Sequence, residues 1–153
     1  MKITEPATMI TDYMLALACA VFAVLTLRST HHAMPVWFLS FFTGSIAAAL
    51  GGTFHGFTLH FSAGKAKGIW DFTMVLIGAS AAFMIAGALA SSVGQGHLEY
   101  VKWIRRGLIV SALGFVIQKI GWDIHHYFNH NDLYHIIQIV GFWCLYEGVR
   151  QME

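Results

Sequence analysis

The sequence is short of charge. Lys, Arg, Asp and Glu make up 11% of its 153 residues, whereas a soluble domain usually carries about 25%. So few charges cannot cover a water-soluble fold of this size. The balance is near neutral, at +1, and the basic residues lie near the ends of predicted helices, so nothing points to a nucleic-acid partner. Cysteine is scarce as well. Cys19 and Cys144 each sit in an apolar run, which excludes a disulfide framework and a cysteine-based metal cluster and leaves both thiols to pack among apolar neighbours. Zinc-protease spacing with an intervening glutamate is missing, and so is a serine-centred nucleophile elbow.

What the chain has instead is apolar length. Hydrophobic residues reach 57% and the mean hydropathy is +0.62. A membrane span needs about 20 mostly apolar residues. Five segments qualify, at about 9–27, 35–60, 69–93, 100–121 and 133–149. The predicted fold is therefore all-α, an integral membrane bundle of five transmembrane helices forming a single domain over residues 1–153. Short connections force antiparallel neighbours. Pro35 suits the first turn of the second helix, where its missing N–H has no partner to lose. The first run is read as a retained span and not a cleaved signal peptide, because Glu5 and Asp12 lie at its start and basic residues are sparse there. Small residues recur four apart: Gly44 with Ala48, Gly78 with Ala82, Ala86 with Ala90, and a row of Gly107, Ser111 and Gly114. Such rows let helix backbones approach closely in lipid, within one chain or between the copies of a homo-oligomer.

Histidine is the unusual component, with nine in the chain. Let side A be the membrane face at the N-terminus and side B the opposite face. Antiparallel spans bring Asp12, His55, His60, Asp71, Asp123, His125, His126, His130, Asp132 and His135 to side A, which is six of the nine His and four Asp. Side B receives His31, His32 and His97. Any one of these can be an interfacial residue, and an Asp at a helix start can be a cap. His55, Asp71 and His135, however, fall in or at the edge of apolar spans, where ionisable groups are expensive and face a partner or a cavity. Gln118 and Gln138 lie within spans near the same face. Their convergence predicts a shared polar site. Imidazole suits zinc, copper, iron and nickel, and a catalytic zinc takes three protein ligands and one water. Zinc is favoured over copper because both thiols lie away from this face. His126 and His130 are four apart and His130 and His135 five apart, which by itself is a weak ligand signal.

At these residues the sequence resembles the superfamily of alkaline ceramidases, progestin/adiponectin-type receptors and Per1-like lipid-remodelling proteins. Gly51-Gly52-Thr53-Phe54-His55 resembles its small-residue and His motif late in one span. Trp70-Asp71-Phe72 resembles its Asp at the start of the next span. Asn131-Asp132-Leu133-Tyr134-His135 resembles the opening of its last span, with Asn131 where the first of two His belongs and His130 just before it. Departures are the five spans in place of seven, Gly51 in place of Ser, and the separation of His55 from Asp71, for which His60 lies closer. The resemblance implies a membrane-embedded zinc-dependent hydrolase acting on a lipid amide or ester that enters from the bilayer. It implies His55, His135 and either His130 or His126 as zinc ligands, with Asp71 as the catalytic base acting on zinc-bound water, whose pKa metal binding lowers to about 7.

Two other classes compete. One is a non-enzymatic receptor or transporter whose His- and Asp-rich face is a binding vestibule. The other is a haem-binding electron carrier, with His55 and His135 as facing axial ligands. Arg28, Lys102, Arg105, Arg106 and Arg150 at side B against Lys2, Lys65, Lys67 and Lys119 at side A favour a cytoplasmic side B by the positive-inside rule. That places the polar site at the non-cytoplasmic face.

Overall fold

The computed structural model describes residues 2–92, 98–125 and 128–152. Five α-helices make up the fold: α1 (Pro6–Thr26), α2 (Met34–Phe57), α3 (Ala63–Ser92), α4 (Leu98–Ile120) and α5 (His130–Arg150), with a 3-10 turn, Thr58–His60, closing α2. Among the described residues there is no strand, and a single β-bridge joins His125 and Phe128. Prolines stand in the first turns of α1 and α2, where a helix has unpaired N–H groups anyway.

Helices α3 and α5 begin earlier than hydropathy predicts, for reasons the sequence carries. The segment Gly64-Lys65-Ala66-Lys67-Gly68, expected as a loop, is the first part of α3. Lys and Ala are good helix formers, and Lys67 ion-pairs with Asp71 one turn on. At α5 the helix starts at His130 and not near 133, because Asn129 caps it. The Asn129 side chain accepts from the N–H groups of Asn131 and Asp132, and Asp132 reaches back to the Asn129 N–H, which is a capping box.

Glycines set the packing. On α2, an added Cβ at Gly52 would lie 3.0 Å from Asp12 Cβ and one at Gly56 would run into Met9, so α1 rests directly on this face. A Cβ at Gly107 of α4 would lie 2.6 Å from Leu145 of α5, while Gly148 faces Ile104 and Gly141 faces Ser111. Helices α2 and α3 are joined by reciprocal bonds. Ser40 Oγ donates to the Ser80 carbonyl at 2.9 Å and Ser80 Oγ to the Ser40 carbonyl at 2.9 Å.

Helices α1 and α5 run parallel and side by side. Thr11 meets His135 and Phe22 stacks on Tyr146, the same offset in both places. The order around the bundle is α3, α2, α1, α5, α4. The two outer helices, α3 and α4, pack little on each other, although Tyr100 Oη donates to the Ala88 carbonyl at 3.2 Å near one end. An apolar cluster that includes Phe22, Trp37, Phe41, Tyr100, Leu145 and Val149 fills the half of the bundle towards side B. The other half holds Asp12, Asp132, His135 and Gln138.

Candidate functional site

Asp12 lies two turns into α1 and His135 a turn and a half into α5, so both sit about 8–9 Å inside the helix ends at a rise of about 1.5 Å per residue. Asp12 Oδ1 is 3.2 Å from His135 Nε2, and their side chains are 6% and 8% exposed. Thr11 Oγ1 lies 3.0 Å from His135 Nδ1 and 3.1 Å from the Thr8 carbonyl, its other acceptor. Both ring nitrogens of His135 are therefore engaged. Helix geometry explains the arrangement: α1 and α5 run parallel, so one turn of α1 presents Thr11 and Asp12 to one ring of α5.

The single hydroxyl proton of Thr11 can go to only one of its two acceptors. When it goes to His135 Nδ1, Nε2–H donates to Asp12 Oδ1. When it goes to the Thr8 carbonyl, Nδ1–H donates to Thr11.

Asp12 Oδ2 is buried and has no hydrogen-bond partner among the described residues. It faces Gly51, on which an added Cβ would lie 3.2 Å from that oxygen. Both residues line a cavity of about 500 Å³ to which all five helices contribute. At its polar end are Asp12, His55, Tyr134, His135 and Gln138; towards α3 and α4 its wall is apolar, with Met74, Ile77, Ile85, Leu108 and Phe115. Those five side chains are also exposed, from 37% at Ile77 to 62% at Ile85. The cavity is thus open along the seam where α3 and α4 pack little on each other. No Lys or Arg lines it.

The histidines named from the sequence do not share a point. His55 lines the cavity, and its Nδ1 lies 2.9 Å from Glu5 Oε2. Backbone bonds from Thr4 N to the Gly56 carbonyl and from Glu5 N to the His55 carbonyl, each 3.1 Å, hold this N-terminal segment across the end of α2. His60 Nε2 is 3.0 Å from the Lys2 carbonyl. His130 pairs with Asp123 at 2.8 Å at the surface, away from the cavity; hydrogen bonds from the His130 side chain and backbone hold the Asp123 carboxyl below its usual range. His126 lies outside the described residues. Three histidines thus meet three different carboxylates, and among the described residues no three His, Cys, Asp or Glu side chains converge as metal donors.

Asp71 is exposed and bound to Lys67, and is not a lining residue. Asp132 is fully buried, with Oδ2 accepting from Asn129 N at 2.7 Å. Gln138 lines the cavity and donates from Nε2 to the Ser111 carbonyl at 3.1 Å. The carboxylate beside His135 is Asp12, which sequence reasoning placed at side A but did not name as a site residue. Its signal was available: an ionisable residue inside an apolar run. Thr11 carries no such signal.

The chain is thus an all-helical protein, three of whose segments, Pro6–Thr26, Met34–His60 and Ala63–Ser92, are long and apolar enough to cross a membrane. It belongs to DUF6962, a family of unknown function, whose sequence profile matches residues 7–101 and 96–153. No curated protein and no solved structure matches it.

Proposed function

We propose that all five helices cross the bilayer and that the chain binds a membrane lipid in its cavity, headgroup at Asp12 and His135 and tail along the seam between α3 and α4. The five-span reading is supported by packing. Helix α5 lies parallel to α1 over the distance from His135 to Tyr146, and α4 runs back along α5 from Gly107 to Gly114. Two helices packed lengthwise on a spanning helix and its neighbour share its depth. Of the charges of α4, Glu99 lies in the first turn and Lys119 in the last, while Lys102, Arg105 and Arg106 lie within the first three turns, from which long side chains snorkel to the interface.

The observation that carries lipid binding is the cavity, apolar along an open lateral side and polar at one end. A few placed polar groups in an apolar pocket of this size are the usual character of a small-molecule site. The test is thermal unfolding of delipidated protein in detergent, with and without added membrane lipid. A ligand bound to the folded state raises its stability by mass action. A higher melting temperature with lipid is expected in the wild type, and little change in Asp12→Leu.

A metal-dependent lipid hydrolase is a second reading, favoured by one observation: His55, Asp12 and His135 line the same cavity. As placed, the side chains do not present a zinc-binding set, since Glu5 holds His55 and Thr11 and Asp12 hold His135. This reading requires both rings to change partners. It expects about one zinc per chain in protein purified without a histidine tag, lost in His135→Ala, with turnover of a lipid amide or ester.

A further inference from the structure

The hydrogen bonding at the polar end of the cavity is incomplete in a way that discriminates between headgroups. Such discrimination follows only if the cavity binds lipid, as proposed above. Asp12 is 6% exposed at its side chain. One of its oxygens is taken by His135, and the other, Oδ2, is buried with no partner among the described residues. A buried acceptor left unmade is expensive, more so inside a membrane. Gly51 lets Asp12 pack closely on α2, since a side chain there would begin 3.2 Å from that oxygen.

The neighbouring groups do not supply the missing donor. His135 has both nitrogens engaged. The Gln138 amide donates to Ser111 and the Gln118 amide to Asn131. No lysine or arginine lines the cavity. A phosphate or carboxylate headgroup at this point would meet the Asp12 carboxyl with no lysine or arginine to compensate it. A hydroxyl or an amine would give Oδ2 the hydrogen bond it lacks, and a protonated amine would also balance its charge.

We infer that Asp12 Oδ2, at the polar end of the cavity beside Gly51, is the acceptor for a donor on the ligand headgroup. The cavity thus selects amphiphiles whose headgroup ends in a hydroxyl or an amine over those ending in phosphate or carboxylate.

The experiment uses the delipidated full chain in detergent and four probes with one tail length: hexadecanol, hexadecylamine, palmitate and hexadecyl phosphate. Binding is read from the shift in melting temperature across a titration. The two donor headgroups should bind at least about tenfold more tightly than the two anionic ones, a difference of about 1.4 kcal/mol. Preference for hexadecylamine over hexadecanol would mark an ionised acceptor, and the reverse a neutral one. Gly51→Ser places a hydroxyl before Oδ2 and should weaken both donor probes while the empty protein stays folded. Asp12→Asn can place an amide nitrogen where Oδ2 stands and should weaken both donor probes. Equal binding of all four probes, or a preference for the anionic pair, would overturn the headgroup inference and leave lipid binding standing. Binding of none of them, by a protein that also shows no stabilisation by membrane lipid, would overturn both.

Discussion

Thr11 has one hydroxyl proton and two acceptors within reach, the Thr8 carbonyl at 3.1 Å and His135 Nδ1 at 3.0 Å. It is the residue that sets the tautomer of His135. Thr11→Val keeps the shape and removes the partner of Nδ1, leaving a buried ring nitrogen unsatisfied at a cost of about 1–3 kcal/mol. Lower thermal stability is expected, together with a change in the nitrogen chemical shifts of the His135 ring. Unchanged shifts would mean that Thr11 does not orient the ring. Asp123 gives a pH prediction of definite sign. Its carboxyl is held low in the folded chain, mainly by the hydrogen bond from His130. It therefore contributes stability that is present above the ordinary carboxylate pKa of about 3.9 and is lost as pH falls through the lower folded value. In His130→Ala the Asp123 carboxyl should titrate closer to the ordinary value, as followed by carbon NMR.

At the scale of the element, the helices were legible because an apolar run of this length has few other uses. The row of Gly107, Ser111 and Gly114 was legible too as a close-packing face, and α5 is the helix that packs on it. Gly78, read in the same way, has open space before it, since a small residue in a span marks a close approach only where a neighbour lies on that side. The start of α3 was not legible. Hydropathy ends a span where charge begins, but the helix continues through Lys65 and Lys67, and Asp71 becomes a third-turn residue paired with Lys67 instead of a residue at the membrane edge. The α4–α5 interface offers a test of the packing account. Gly141→Leu would drive a large side chain into Ser111, and overpacking of this kind costs about 1–3 kcal/mol or more. A lower melting temperature in detergent is expected. Gly78→Leu, by contrast, should be near neutral.

Across the whole molecule, the face that carries the polar residues could be read from the sequence, because antiparallel spans sort loops and helix ends to two sides. Which ring meets which carboxylate could not be read. That depends on the rotation of each helix about its own axis, and Gly51, Gly52 and Gly56 fix it by letting α1 settle against α2 with Asp12 turned inward. Counting histidines therefore indicated a face of the bundle but not which residues meet there: Asp12 stands beside His135, while His55 and His130 have other carboxylates. The bundle that results is a row of five helices whose outer pair leaves a seam, with an apolar cluster filling one half and an open cavity the other. Ala81 of α3 and Ala112 of α4 line that cavity and are themselves exposed, so larger side chains at these positions fill it without disturbing the packed core. The most direct measurement is native mass spectrometry of the wild type and of the Ala81→Trp, Ala112→Trp double variant, each purified gently from membranes. Lipid binding in the cavity predicts a lipid-bound species for the wild type and its loss in the double variant at unchanged folding. Equal lipid retention by the two proteins, or none by the wild type, would contradict it.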